Sequence, residues 1–133
     1  MKVIYTKVVA DLFHYGHVNF FKNARALGDK LVVHVVNDER VRLSKRPPVM
    51  TQEERIAVVA ACRYVDQVLA DGPKIITPEF MMEQGYHTYV FSYSSDEELQ
   101  TKLADCPDLP KEMIAILPYT SGISTTDILH RIR

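Results

Sequence analysis

A chain of 133 residues, 47% apolar and 25% charged, has the size and apolar mass of one ordinary domain and leaves no room for a second. Sixteen basic against seventeen acidic residues give a net charge of -1, which excludes a global field that would draw nucleic acid or an anionic membrane. The two cysteines, Cys62 and Cys106, match no CxxC or CxxH spacing and read as reduced thiols rather than as a disulfide frame or a zinc site, and no apolar run approaches the ~20 residues needed to span a bilayer, so a cytoplasmic protein is expected.

Residues 2–10, KVIYTKVVA, are rich in β-branched side chains and run into the turn HYGH, which predicts a strand. From about Val18 to Leu27, Phe20, Phe21, Ala24 and Leu27 fall near helical spacing, and Gly28 is a stop signal. KLVVHVV (30–36) suits a strand buried on both faces. NDERVRLSKRPPVM is polar, basic and broken by Pro47 and Pro48, and is expected to be a loop. Thr51 and Glu54 form a capping-box pattern ahead of the apolar Ile56, Val59 and Ala60. VDQVLA (65–70) reads as a third strand. Thr77 followed by Pro78 opens a helix that Gly85 closes. HTYVFSY (87–93) is a fourth strand, SDEELQTKLAD a charged helix capped by Ser95, EMIAILP (112–118) a fifth strand and STTDILHRIR a final helix.

Strands alternating with helices in this way imply an α/β, Rossmann-like, five-stranded parallel sheet with helices on both faces, in one domain spanning residues 1–133. Ligands of such sheets sit beyond the carboxyl ends of the strands. HYGH, the basic loop, SYSS and YTSGISTT all fall at such ends, so four distant segments are expected to meet.

His14 and His17 flank Gly16 at a strand-to-helix turn. Histidines there serve either as helix caps or as donors to an anion, because a helix start favours negative charge and Gly16 permits close approach. Ser124, Thr125 and Thr126 follow Gly122 at another helix start. One hydroxyl makes an ordinary cap; three in a row suit phosphate oxygens. His34 is read as a core or sheet-face residue, His87 as a strand-start residue and His130 as exposed. Phe20, Phe21, Phe80, Met81 and Met82 are assigned to packing, Asp96, Glu97 and Glu98 to a solvated helix start, and Cys62 to burial rather than reactivity.

Taken together, HxGH after the first strand, KRPPVMTQEER (45–55), RYVD (63–66) and GISTTDI (122–128) resemble, over essentially the whole chain, the cytidylyltransferases that act on glycerol-3-phosphate, choline phosphate and ethanolamine phosphate. HxGH alone marks a wider nucleotidyltransferase superfamily; the joint set is far more specific. The resemblance implies a homodimer that transfers CMP from CTP, with Mg2+, to a small phosphorylated alcohol or phosphonate, giving a CDP-alcohol-type product and pyrophosphate. It implies that His14 and His17 contact the triphosphate, with Val9, Ala10, Tyr15, Gly16, Ser92 and the run Tyr119, Thr120, Ser121, Gly122, Ile123, Ser124, Thr125 and Thr126 completing the nucleotide site. Lys45, counted with His14 and His17 as catalytic, and Arg46 would hold the substrate phosphate, with Arg46 touching the nucleotide as well. Asp11 would support the HxGH turn by accepting backbone N–H bonds, or help organise magnesium. Arg63 and Asp66 would lie near the site and the subunit interface.

Three departures stand out. The family's G-x-F-D is Val8-Val9-Ala10-Asp11 here, R-x-x before GISTT is Tyr119-Thr120-Ser121, and G-D-D-W is Ser92-Tyr93-Ser94-Ser95. Each weakens a nucleotide contact. An adenylyltransferase and a catalytically weakened binding or dimerisation domain therefore stand beside the cytidylyltransferase reading.

Overall fold

A computed structural model describes residues 1–44 and 46–132, the side chain of Ser44 apart. The strands are β1 (Val3–Val8), β2 (Lys30–Val35), β3 (Gln67–Leu69), β4 (Thr88–Ser92) and β5 (Ile114–Leu117), all parallel, in the order β3-β2-β1-β4-β5. The helices are α1 (Tyr15–Arg25), α2 (Asp38–Ser44), α3 (Gln52–Ala60), α4 (Pro78–Gln84), α5 (Asp96–Ala104) and α6 (Thr125–Arg131). The expected fold class is present, and among the described residues no helix is long and apolar enough to cross a membrane.

Alternation along the strands splits the core between the two faces of the sheet. Ile4, Leu31, Val33, Val35 and Val90 pack with Phe21 and Ala24 of α1 and Val59 of α3. Tyr5, Val32, Tyr89 and Phe91 pack on the other face with Met81 of α4 and Cys106. These side chains are almost fully buried, and full burial of an aliphatic or aromatic side chain stabilises by about 1.5–3 kcal/mol. The chain winds outward from β1 to β3, then returns to β4 on the other side of β1. The loops after β1 and β4 therefore diverge and open a crevice at the carboxyl edge.

Two expectations change. The stretch after β2 is not a loop throughout: α2 forms because Asn37 Oδ1 accepts Arg40 N–H at 2.8 Å, two acids occupy the first turn, and Val41 is buried. The first helix starts three residues earlier than predicted, because His14 is its N-cap and Gly16 lies inside it. The Thr51–Glu54 capping box and the Thr77, Ser95 and Ser124 caps form as read.

Candidate active site

The loop joining β1 to α1 carries two residues with left-handed backbone, Ala10 (φ 57°) and Leu12 (φ 49°). A non-glycine residue in that region costs on the order of 1–3 kcal/mol and persists only where its surroundings hold it there. Asp11, between them and 3% exposed, does the holding. Its carboxylate accepts N–H bonds from Val49 and Met50 at 2.9 Å each, and its carbonyl accepts the Thr125 hydroxyl at 2.9 Å. Arg46 lies 3.5 Å from the same carboxylate. The backbone bonds expected of Asp11 are thus made to the loop preceding α3 rather than to the HxGH turn, and three loops are tied together at one residue.

The two histidines are helix caps and more. His14 Nδ1 accepts Gly16 N–H at 3.0 Å, and His17 Nδ1 accepts His14 N–H at 3.1 Å, a reciprocal pair. An accepting Nδ1 carries no proton, so each neutral ring bears its proton on Nε2. Capping and ligand donation, alternatives at the level of sequence, are therefore compatible in the same ring. Gly16 is obligatory for this arrangement, since a Cβ there would stand 2.8 Å from His14 Cε1. The rings lie 4.0 Å apart between centroids, and Phe13 stacks on His17 at 5.6 Å. Burial, with the neighbouring His14, pushes His17 down to about 4, and burial lowers His14 as well. Both rings are neutral donors near pH 7.

His34, 1% exposed, is likewise pushed down to about 4, by burial first and then by Arg40 and Lys7. An unfolded histidine titrates near 6.5. Between about pH 6.5 and 4 the unfolded chain therefore binds more protons than the folded one, and stability falls as pH falls through that window. Each such histidine contributes a slope of up to about 1.4 kcal/mol per pH unit. Urea unfolding at pH 7.5, 6.0 and 5.0 is expected to show this loss, and His34→Leu, which leaves the capping pair intact, is expected to reduce the slope. A flat profile across the window contradicts the burial of neutral rings.

An open cleft of about 1230 Å3 at the carboxyl edge is lined by His14, Gly16 and His17 from the start of α1, and by Tyr119, Thr120, Ile123, Ser124, Thr125 and Thr126 from the turn before α6. Val9, Ala10, Asp11, Arg46 and Ser92 line it too. The three hydroxyls are not equivalent. Ser124 Oγ accepts Asp127 N–H at 3.0 Å and keeps its own proton to donate, whereas Thr125 spends its proton on the Asp11 carbonyl. Thr126 is exposed in the cleft.

Several expected residues stand elsewhere. Tyr15 is 63% exposed, and Tyr15, Ser121 and Gly122 do not line the cleft. Lys45 lies outside the described residues. Arg63 and Asp66 are at the opposite, amino-terminal edge of the sheet: Asp66 accepts Leu31 N–H at 2.8 Å and pairs with Arg25 at 2.9 Å, and the Arg63 guanidinium stands 6.0 Å from the Tyr64 ring centre. Sequence reading missed Lys7, Arg40, Lys74 and Asp105, which line the other half of the cleft. It also missed Arg55, wholly buried under the loop. The signal for Arg55 was present, since it falls on the apolar stripe of α3 with Ile56 and Val59.

Residues 9–131 match the model of the cytidylyltransferase-like family. An ethanolamine-phosphate cytidylyltransferase of Arabidopsis thaliana is 38% identical over 133 residues, covering 96% of this chain and 31% of that protein. A probable ethanolamine-phosphate cytidylyltransferase of Schizosaccharomyces pombe is 36% identical, covering 92% and 33%. Choline-phosphate cytidylyltransferase A of Homo sapiens is 34% identical, covering 97% and 36%. The chain spans about a third of the length of these curated relatives. Among solved structures, the lipopolysaccharide core biosynthesis protein of Thermoplasma volcanium shares the fold, with a TM-score of 0.66 at 23% identity over 92% of this chain and 99% of that one. With HxGH and GISTT brought into one cleft and the family model matched over nearly all of its length, the chain belongs to the cytidylyltransferase-like family.

Proposed function

We propose that this domain transfers a cytidylyl group from CTP to a small phosphorylated alcohol or phosphonate. The observation that carries the reading is the shared cleft, in which His14 and His17 keep an Nε2–H and Ser124 keeps a hydroxyl proton after each has capped its own helix. An oxygen of the acceptor phosphate attacks the α-phosphorus of CTP. The bond from that phosphorus to the bridging oxygen breaks, and its electron pair leaves with pyrophosphate. The attacking group is an anion at neutral pH, so the site has no use for a strong base and supplies alignment and donors instead.

In this reading His14 and His17 donate to the triphosphate as its charge shifts toward the leaving group, Ser124 and Thr126 hold it from the facing turn, and Arg46 with Lys45 holds the incoming phosphate. Magnesium would arrive bound to the triphosphate rather than on protein ligands. Among the described residues no three His, Cys, Asp or Glu side chains converge to hold an ion, and both Asp11 oxygens already accept backbone N–H bonds. Magnesium would balance charge on the leaving pyrophosphate. The protein is proposed to act as a homodimer in the cytoplasm.

Thermal unfolding with CTP, ATP or GTP and magnesium tests the nucleotide. The true substrate at 100 times its Kd stabilises by about 2.7 kcal/mol. The largest shift is expected for CTP, accompanied by pyrophosphate release when a phosphorylated alcohol is added. A larger ATP shift with release transfers the reading to adenylyl transfer, and binding without release to any acceptor reduces the domain to a binder.

A further inference from the structure

Resting on the transferase reading, we infer that the half of the cleft on the α4 and α5 side of the sheet holds the acceptor. It selects an acceptor whose far end bears a second anionic group, a carboxylate or phosphonate, over one that ends in an ammonium. The histidines belong to α1, packed on one face of the sheet. Lys7 alternates with Thr6 and Val8 along β1, so with Tyr5 it turns to the other face, beside Asp105 and Lys74.

Lys7 is a cation in a nearly closed position, its side chain 10% exposed. Its Nζ donates to the Lys74 carbonyl and to Asp105 Oδ2, each at 2.7 Å, leaving one of three protons for the cleft that it lines. Lys74 Nζ takes the other Asp105 oxygen at 3.0 Å. Arg40, tethered through Gly72 O at 3.0 Å, adds a third cation near enough to disfavour the charged form of Lys7. Lys7 and Lys74 thus share one interior carboxylate, both of whose oxygens are engaged, with the Arg40 guanidinium close to Lys7.

An ammonium entering this space meets like charge and, among the described residues, no vacant interior carboxylate. Glu98 is paired with Lys102 at 3.2 Å and accepts the Ser94 hydroxyl, and Glu39 stands on the exposed rim. Nor do Phe91 and Tyr89, the aromatic side chains of β4 that line the cleft, offer the alternative. Lys102 already lies 6.0 Å from the Phe91 ring centre, and Tyr89 is 2% exposed. A carboxylate or phosphonate at the same place takes the third proton of Lys7 and offsets the charge by which Lys7 and Lys74 exceed Asp105. Ethanolamine phosphate, the substrate in the names of several relatives, ends in an ammonium, so on this ground the pocket differs from theirs in sign.

Calorimetric titration of the full chain with phosphoglycolate, ethyl phosphate and ethanolamine phosphate, which are of matched length, reads the preference without nucleotide. Phosphoglycolate is expected to bind at least about tenfold tighter than ethyl phosphate and about 100-fold tighter than ethanolamine phosphate. Lys7→Met and Lys74→Met are each expected to bring the phosphoglycolate affinity toward that of ethyl phosphate. The second acts on a side chain 65% exposed, so it decides the matter where the first fails to fold. Ethanolamine phosphate binding as tightly as phosphoglycolate, or an unchanged order in the folded variants, overturns the inference. Retained anion preference with no pyrophosphate release from CTP supports this pocket and defeats the transfer reading instead.

Discussion

His17→Ala is expected to lower kcat/KM for pyrophosphate release by about 10²–10³-fold, the effect of removing one donor aimed at developing charge. Stability should fall far less. The ring caps His14 N–H at 3.1 Å and stacks on Phe13, and loss of a cap costs about 1 kcal/mol. His17→Asn separates the two duties. Its amide oxygen can replace the accepting Nδ1, but it is too short to place a donor where Nε2 stood. The asparagine variant should therefore regain stability without regaining turnover, with kcat and kcat/KM lowered together, as for a contact made in the transition state. Because His17 is held down to about 4, it already works as a neutral ring, and activity should not decline as pH rises through 6.5. A loss of rate there, or recovery of rate in the asparagine variant, removes the role assigned to the Nε2–H.

How much of this was legible in the sequence follows from how local each device is. The caps at Thr51, Thr77, Ser95 and Ser124 involve partners three residues away, and all were readable. The meeting of HYGH with GISTT followed from the rule that parallel sheets bind ligands at one edge. Helix α2 was legible only in part: its Asn37 cap and acidic first turn are local, but the Arg55 bond that anchors Asp38 at its start is tertiary, and the polar, proline-broken stretch outweighed the cap. The cationic half of the cleft was not readable, since Lys7 and Asp105 lie 98 residues apart and meet only through a strand order that periodicity leaves open. Which hydroxyl of the Ser-Thr-Thr run is spent also depends on a distant partner, the Asp11 carbonyl.

Arg55→Met is expected to destabilise the protein by about 3–5 kcal/mol, the cost of breaking a buried charged network from one side. For a chain of this size that lowers Tm by roughly 10 °C or more. The guanidinium is 0% exposed and donates to Val9 O and Val36 O at 2.8 Å, to Met50 O at 3.2 Å and to Asp38 Oδ1. It therefore joins the carboxyl ends of β1 and β2 to the starts of α2 and α3. Methionine fills the volume but leaves three carbonyls and a carboxylate without their donor. The carbonyls should dominate, because the Asp38 side chain is 30% exposed and can turn to water. Asp38→Ala is thus expected to cost clearly less than Arg55→Met, and Arg55→Lys to recover only part of the loss, since an ammonium lacks the planar fork that reaches all four acceptors. Urea unfolding of the three variants measures the order. Equal losses from Asp38→Ala and Arg55→Met place the weight on the ion pair alone, and a loss under about 1 kcal/mol in Arg55→Met denies that the loop beneath the histidines is held from below.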